Sequence, residues 1–292
     1  MTTFVAGRDH LRLFRVRQHR VTIAGEEQTT RDDRFRVSKK GASNMMKTVL
    51  TILTNASHLT LTDGEEYPSG FWAEEFAVPY RMFRKAGYDV EFATLGGVAP
   101  TVDKSSIDPD FMKWVRPSFT QTDDAAAAAT YRQAIENADG LDSPKDLARL
   151  TKEDVAAYDG IYIVGGHGCM QDMPASPAMT RFLLTVLALN KPLASVCHGP
   201  TAFLSPRDMA GQSPFAGYRV TCFSHVEEFY TRINGRLPYV LEIELKRLGL
   251  EYSKSPYPWG SHVVVDRNLV TGQNPFSSES LAAHFIDLLL KV

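Results

Sequence analysis

The chain has 292 residues, enough for one large α/β domain with a full core or for two small ones. Apolar residues make up 43% and charged residues 23%, the proportions of an ordinary soluble globular protein. A net charge of −2 argues against a nucleic-acid binder or a polybasic membrane anchor, and no apolar run reaches the roughly 18–20 residues of a membrane span.

Residues 1–45 stand apart. They carry 10 Lys/Arg against 5 Asp/Glu, whereas the remainder is acidic, with 22 against 29. Their periodicity is weak and they end in the small polar run Lys39–Asn44. The expectation is a basic, disordered extension, or a start assigned upstream of a true one at Met45 or Met46. A transit peptide ranks below both, because Glu26, Glu27, Asp32 and Asp33 interrupt the basic pattern. The same stretch lacks the continuous apolar core of a secretory signal.

From Met46 the pattern alternates. Lys47–Thr54 reads as a strand built on the apolar run Val49–Leu53. Tyr88–Ala93 follows a glycine, as expected after a helix C-cap. Thr101–Glu153 is polar, with a helical run at Asp124–Thr130, and is expected to be an excursion serving as a lid or a dimer contact. Ile161–Val164, Pro192–Val196, Arg219–Phe223, His262–Asp266 and Asn268–Thr271 complete the strands. Phe182, Leu183, Val186 and Leu187 form one stripe of a helix after Pro177, and Tyr239–Leu248 and Glu279–Leu290 give two more. Continuous apolar strands between amphipathic helices predict an α/β fold with a mostly parallel sheet covered on both faces, all within residues 46–292.

Three segments carry chemistry. In Leu193-Ala194-Ser195-Val196-Cys197-His198-Gly199-Pro200 a buried strand meets a tight turn and then a helix. A nucleophile on such a turn is pushed out of the sheet edge, above the N–H groups of the next helix, whose partial positive charge favours a thiolate. Cys197 is therefore the predicted nucleophile. In Ile163-Val164-Gly165-Gly166-His167-Gly168, adjacent glycines free two N–H groups to point at one oxygen, as an oxyanion hole requires. In Phe71-Trp72-Ala73-Glu74-Glu75-Phe76 two carboxylates sit among large apolar residues. Neighbours on a helix diverge, so one of them can face inward, where burial raises its pKa and fits it for proton exchange near neutrality.

The three cysteines, odd in number and widely spaced, suit free thiols in a reducing, cytoplasmic compartment rather than a disulfide framework. No Cys-x-x-Cys pair and no His-Glu-x-x-His helix occurs, so neither a metal nor another cofactor is expected.

Taken together, Gly165-Gly166-His167-Gly168, Ala194-Ser195-Val196-Cys197-His198-Gly199-Pro200 and Leu269-Val270-Thr271-Gly272-Gln273-Asn274-Pro275 resemble the ThiJ/PfpI superfamily, nearest its glyoxalase III and heat-inducible chaperone branch. The resemblance covers Met46 to Val292. It implies a flavodoxin-like, doubly wound fold of the class I glutamine amidotransferase type. It implies Cys197 as nucleophile with His198 as its partner, Glu75 as the acid bonded to the thiolate, and Glu228 orienting His198. Its oxyanion hole would be Gly165, Gly166 and His198.

The implied reaction is conversion of a small 2-oxoaldehyde, methylglyoxal, to lactate without glutathione or metal. A deglycase activity would use the same thiol. A homodimer is expected by analogy, with neither nucleic acid nor membrane as a partner. Two other readings stand beside this one. A glutamine amidotransferase-like hydrolase or cysteine peptidase would share the nucleophile turn, although His225-Val226-Glu227 begins only 28 residues after Cys197 and no synthetase domain is attached. A holdase chaperone or redox sensor would need an exposed apolar patch.

Because Glu75, Cys197, His198 and Glu228 all follow Met46, a chain starting there is expected to keep its melting temperature and its methylglyoxal rate. Sparse apolar residues such as Phe4, Leu11 and Phe14 limit any packed contact of the extension to a few kcal/mol at about 25 cal/mol per Å². A fall of many degrees on truncation would make the extension a structural part of the protein.

Overall fold

The structure is a computed structural model and describes residues 47–115, 123–206 and 211–291. The basic extension at 1–45 lies outside the described residues. The strands, in chain order, are β1 Thr48–Ile52, β2 His58–Thr60, β3 Glu66–Pro68, β4 Asp89–Thr94, β5 Lys145–Asp146, β6 Gly160–Ile163, β7 Leu193–Val196, β8 Arg219–Val220, β9 Glu251–Tyr252, β10 Val263–Asp266 and β11 Leu269–Gly272. Seven form the central sheet, in the order β10-β11-β7-β6-β1-β4-β5. All its pairings are parallel except that of edge strand β10 with β11.

Successive residues of β1 feed opposite layers, as a period-two strand must. Val49 and Leu53 pack with Phe76, Phe83 and Phe285, while Leu50 and Ile52 pack with Phe182, Leu183 and Leu241. Helices Ala73–Lys85, Asp124–Glu136 and Ser278–Leu289 thus cover one face, and Pro177–Ala188 and Leu241–Arg247 the other. This is the flavodoxin-like, doubly wound arrangement. β1 has β4 on one side and β6 on the other, so the strand order reverses there, and the carboxyl ends of β1, β6 and β7 open onto a common crevice.

One sequence expectation changes. Arg219–Phe223 is not a strand of the main sheet. Only Arg219–Val220 is extended, paired in parallel with β9, because the Thr221 N–H turns aside to the Thr271 hydroxyl and the Phe223 N–H to the Cys197 carbonyl. The polar excursion Thr101–Glu153 is part of the domain: β5 extends the sheet edge, and Ala128, Tyr131 and Ala134 bury one side of helix Asp124–Glu136 in the core. The antiparallel pair β2–β3 was not anticipated from the sequence.

One helix irregularity matters for the site. Pro79 lies inside helix Ala73–Lys85 and has no N–H, so the Glu75 carbonyl four residues earlier loses its helical donor. The Tyr162 hydroxyl, rising from β6, donates to that carbonyl instead. The bond ties the first turns of the helix to the sheet at the residue that carries the buried carboxyl. Tyr162→Phe leaves the carbonyl unpaired and is expected to cost about 1–3 kcal/mol by chemical denaturation. A change within about 0.5 kcal/mol, the range of neutral surface substitutions, would contradict this account.

Candidate active site

Cys197 follows the last residue of β7 and adopts a φ of 57°, a left-handed conformation unusual for a residue with a side chain. Its N–H donates to the Gly272 carbonyl over 2.9 Å and its carbonyl accepts from the Phe223 N–H over 2.9 Å, so the turn is clamped on both sides. Close packing requires the following glycine: a Cβ on Gly199 would fall 2.5 Å from the Ser195 hydroxyl and 2.9 Å from the Ile163 carbonyl. The predicted nucleophile turn is therefore present. The helix after it is a 3₁₀ segment, Gly199–Leu204.

The electrostatics differ from the sequence expectation. Burial pushes the Cys197 thiol well up, and the negative charge of Glu75 pushes it further. Both effects favour the thiol and oppose the thiolate-favouring charge expected of the short helix that follows.

His198 Nδ1 lies 3.3 Å from Cys197 Sγ, and its Nε2 lies 2.7 Å from Glu228 Oε1. All three residues are buried. Burial would raise the Glu228 pKa, but His198 and His167 bring it down to about 2. An ionised carboxylate accepts, so His198 carries its proton on Nε2 and offers a lone pair at Nδ1 to the thiol. Burial also holds His198 itself down to about 4.

Glu75 is the inward carboxyl and is fully buried, whereas Glu74 is partly exposed. Burial raises the Glu75 pKa well above the carboxylate range, opposed by interactions with the Cys197 thiol and the Gly165 N–H. Neither oxygen closes a hydrogen bond of ordinary geometry with them. The cradle is tight: a Cβ on Gly165 would fall 2.4 Å from Glu75 Oε2 and 2.9 Å from Cys197 Cβ. This divides the glycine pair. The Gly165 N–H serves Glu75, while no backbone hydrogen bond is formed by the N–H of Gly166 or of His198, and both residues line the cleft. Gly166, at φ 112°, takes a conformation closed to other residues and could not carry a Cβ against the Gly70 carbonyl.

Trp72, Phe223, Tyr230 and Trp259 give the cleft apolar walls, with Asp103 and Arg232 at its polar margin. The Arg232 guanidinium lies 4.9 Å from the Phe111 ring centroid. Cys169 is not part of this group: it is buried, its thiol donates to the Val164 carbonyl, and burial pushes its pKa well up. The downstream pair His225 and Glu227 forms no hydrogen bond to Cys197 or His198. His225 stacks on Phe229, and both Glu227 oxygens are taken by Ser224, Trp259 and Asn274.

The sequence placed His167 in the glycine motif but did not reveal its contact with Glu228. His167 Nε2 lies 3.2 Å from Glu228 Oε2, and the His167 and His198 rings are 4.0 Å apart between centroids. Among the described residues these two histidines and Glu228 have donor atoms spaced to hold a metal ion. They come from two loops and a short helix that are far apart in the chain, so no spacing rule reveals the group.

The burial of neutral His198 makes an acid-stability prediction. The unfolded imidazole takes up a proton below about 6.5, the folded one only below about 4, so the unfolded chain binds more protons between those values and stability falls as pH is lowered through the window. His198→Gln is expected to flatten the slope of melting temperature against pH between 6.5 and 4. An unchanged slope would show that His198 is not held neutral.

Comparison with known proteins places this geometry. The Protein/nucleic acid deglycase HchA of Pseudomonas aeruginosa (strain UCBPP-PA14) is 26% identical over 245 residues, covering 80% of this chain and 78% of that protein. Its namesake in Staphylococcus aureus (strain bovine RF122 / ET3-1) is 28% identical over 265 residues, covering 87% and 84%. Among solved structures, glyoxalase III from Candida albicans aligns with a TM-score of 0.66 at 25% identity, over 83% of this chain and 97% of that one. A family model described as ThiJ/PfpI family-like matches residues 68–213, half of the sequence, and that stretch contains Glu75, both cleft glycines, Cys197 and His198. With that match and these relatives, the chain belongs to the ThiJ/PfpI family, near its glyoxalase III and HchA branch.

Proposed function

We propose that this protein is a cysteine-dependent enzyme acting on small carbonyl compounds, converting methylglyoxal to lactate as a glutathione-independent glyoxalase III and removing early carbonyl adducts by the same chemistry. The observation that carries the reading is the placement of Cys197 on its left-handed turn, 3.3 Å from His198 Nδ1 and against the buried carboxyl of Glu75. The names of the relatives, a deglycase and a glyoxalase III, support it.

In this reading the thiol adds to the aldehyde carbon of methylglyoxal while His198 Nδ1 takes its proton. The ionised Glu228 stabilises the imidazolium that forms. The N–H groups of Gly166 and His198 face the developing oxyanion. His198 returns the proton to that oxygen, giving a hemithioacetal. Glu75, ionised for this step, removes the hydrogen on the thiol-bearing carbon and delivers it to the neighbouring carbon through an enediol, while the hydroxyl proton of the first carbon's oxygen passes to the oxygen of the second. The raised pKa of Glu75 makes it a stronger base than an exposed carboxylate. The product is a thioester of lactate. Water cleaves it, releasing lactate and restoring the thiol, so the net reaction adds one water to methylglyoxal.

A reducing, cytoplasmic setting and a homodimer belong to the same proposal. The three cysteines are free and buried, in keeping with such a setting. The exclusion of nucleic acid drawn from net charge loses its force here. Net charge speaks to binding along a phosphate backbone, whereas the relatives' names include nucleic acid as a deglycation substrate. A single modified base presented to the cleft makes no demand on overall charge. A holdase activity has one observation in its favour: Phe229 and Tyr257 are 60% and 73% exposed.

The test is lactate formation from methylglyoxal without glutathione. Cys197→Ser is expected to abolish it with the fold intact. Glu75→Gln should lower turnover by about 10²–10⁴, the usual weight of a general acid–base group, with Glu74→Gln close to wild type. Retained activity in the serine variant, or equal losses at the two glutamates, would remove these assignments. Suppression of aggregation that survives Cys197→Ser would support the holdase role separately.

A further inference from the structure

Glu228 is shared in a way that the proposed reaction does not require. One carboxylate oxygen faces His198 Nε2 at 2.7 Å, and the other faces His167 Nε2 at 3.2 Å. A nucleophile, a base and an orienting carboxylate are complete with His198 alone. His167 comes from the glycine loop after β6, His198 from the turn after β7 and Glu228 from the four-residue helix His225–Glu228. Three elements thus converge two imidazole nitrogens and one carboxylate on a single point.

We propose that His167, His198 and Glu228 form a binding site for a divalent cation of the zinc class, and that its occupation silences Cys197. The donor set is two imidazoles and one carboxylate, the mixture that zinc and its first-row neighbours prefer. All the donor atoms lie within 4.8 Å of one another. Four ligands at about 2.0–2.1 Å in a tetrahedron stand about 3.3 Å from each other, and each imidazole nitrogen already lies 2.7 or 3.2 Å from one of the two Glu228 oxygens. The rings already lie with centroids 4.0 Å apart and tilted by 38°, so closing on an ion requires small rotations rather than backbone movement. His167 lines the cleft, which gives the ion an entry path and supplies water for its fourth position. The site charge would be +1, and the carboxyl of Asp103, at the margin of the same cleft, interacts favourably with His167.

The consequence for the thiol follows from the tautomer. Hydrogen-bonded to Glu228, His198 carries its proton on Nε2 and presents a lone pair to Cys197. A cation on Nε2 displaces that proton to Nδ1, and likewise in His167, so no proton is lost overall. The nitrogen 3.3 Å from the thiol then becomes a donor and can no longer accept the thiol proton. Zinc bound here would therefore inhibit without touching the sulfur. This differs from the common route of inhibition, in which the thiolate is itself the ligand.

Zinc chloride added to the full-length chain after chelator treatment provides the test, read by titration calorimetry and by turnover. Cys197→Ser is expected to bind zinc as tightly as wild type, because the sulfur is not a ligand. His167→Gln should weaken binding by at least about tenfold, and His167→Asp, which restores an oxygen ligand, should recover part of it. Wild-type turnover should fall as the site fills and return with chelator, and His167→Gln should require correspondingly more zinc. Melting curves of the two His167 variants separate lost binding from lost fold, and the aspartate variant carries the test if the glutamine variant is unstable. Zinc affinity that is unchanged in His167→Gln, that disappears in Cys197→Ser, or that is absent from wild type would overturn the proposal. Because binding is read by calorimetry, the result stands whatever substrate the enzyme turns over.

Discussion

The left-handed backbone at Cys197 is the constraint on which the rest of the site depends. A side-chain-bearing residue at φ 57° persists only where its surroundings hold it. Here three segments do so: β11 accepts from its N–H, Phe223 donates to its carbonyl, and the Gly199 backbone presses so close to Ser195 and Ile163 that no Cβ fits. The same contacts that fix the turn also bring in the residues that use it. The strand paired to β7 carries Gly272 to the Cys197 N–H. The segment that pairs Phe223 with the Cys197 carbonyl continues, five residues later, to Glu228.

Four ionisable side chains lie within this buried space, and their coexistence depends on keeping the total charge small. Glu228 is ionised because two imidazoles donate to it. His198 is neutral because burial disfavours its cation. Burial raises both Glu75 and Cys197, and Glu75 raises Cys197 further while the Cys197 thiol opposes the rise at Glu75, which favours a pair that retains its protons. Among these four, Glu228 then carries the negative charge, with an imidazole at each of its oxygens. Moving the thiol proton to His198 Nδ1 converts Glu228 and His198 into an ion pair and leaves the new negative charge on sulfur or substrate, next to the N–H groups that line the cleft. The arrangement therefore stores little charge at rest and has partners ready for the charge that forms during attack.

How far the sequence revealed this varies residue by residue. Cys197 was legible because a buried strand, a tight turn and Cys-His-Gly-Pro coincide within eight residues. Glu75 was legible only as one of two neighbours until the resemblance chose between them, and the burial of one and partial exposure of the other then matches that choice. Glu228 came from the resemblance alone, since it reaches His198 across 30 residues of chain. His167 was in plain view as part of a glycine motif, yet its contact with Glu228 spans 61 residues and leaves no local pattern. At the level of the fold, the parallel core strands were readable from their continuous apolar runs. The segment Arg219–Phe223 was not, because its run of buried side chains fits a strand while its N–H groups are drawn to a threonine hydroxyl and the nucleophile turn. An apolar run reports which side chains are buried, not which acceptor each N–H finds.

The adjacent glutamates at 227 and 228 show how one short helix supports two separate duties. Neighbouring positions on a helix diverge by about 100°, so the two carboxylates point to different partners from one backbone. Glu227 turns back to close a capping box with Ser224, and its other oxygen accepts from the Trp259 N–H at 2.8 Å and the Asn274 side chain at 2.7 Å. Trp259 has a positive φ of 63°, and its indole forms part of the cleft wall against Phe223 and Tyr230. Glu227 therefore holds the cleft wall in place, and in doing so it fixes the helix turn from which Glu228 reaches the two histidines. A buried carboxylate with four donors is costly to move, and the one beside it inherits that rigidity. The orientation of the His198 imidazole thus rests on a residue that never touches it.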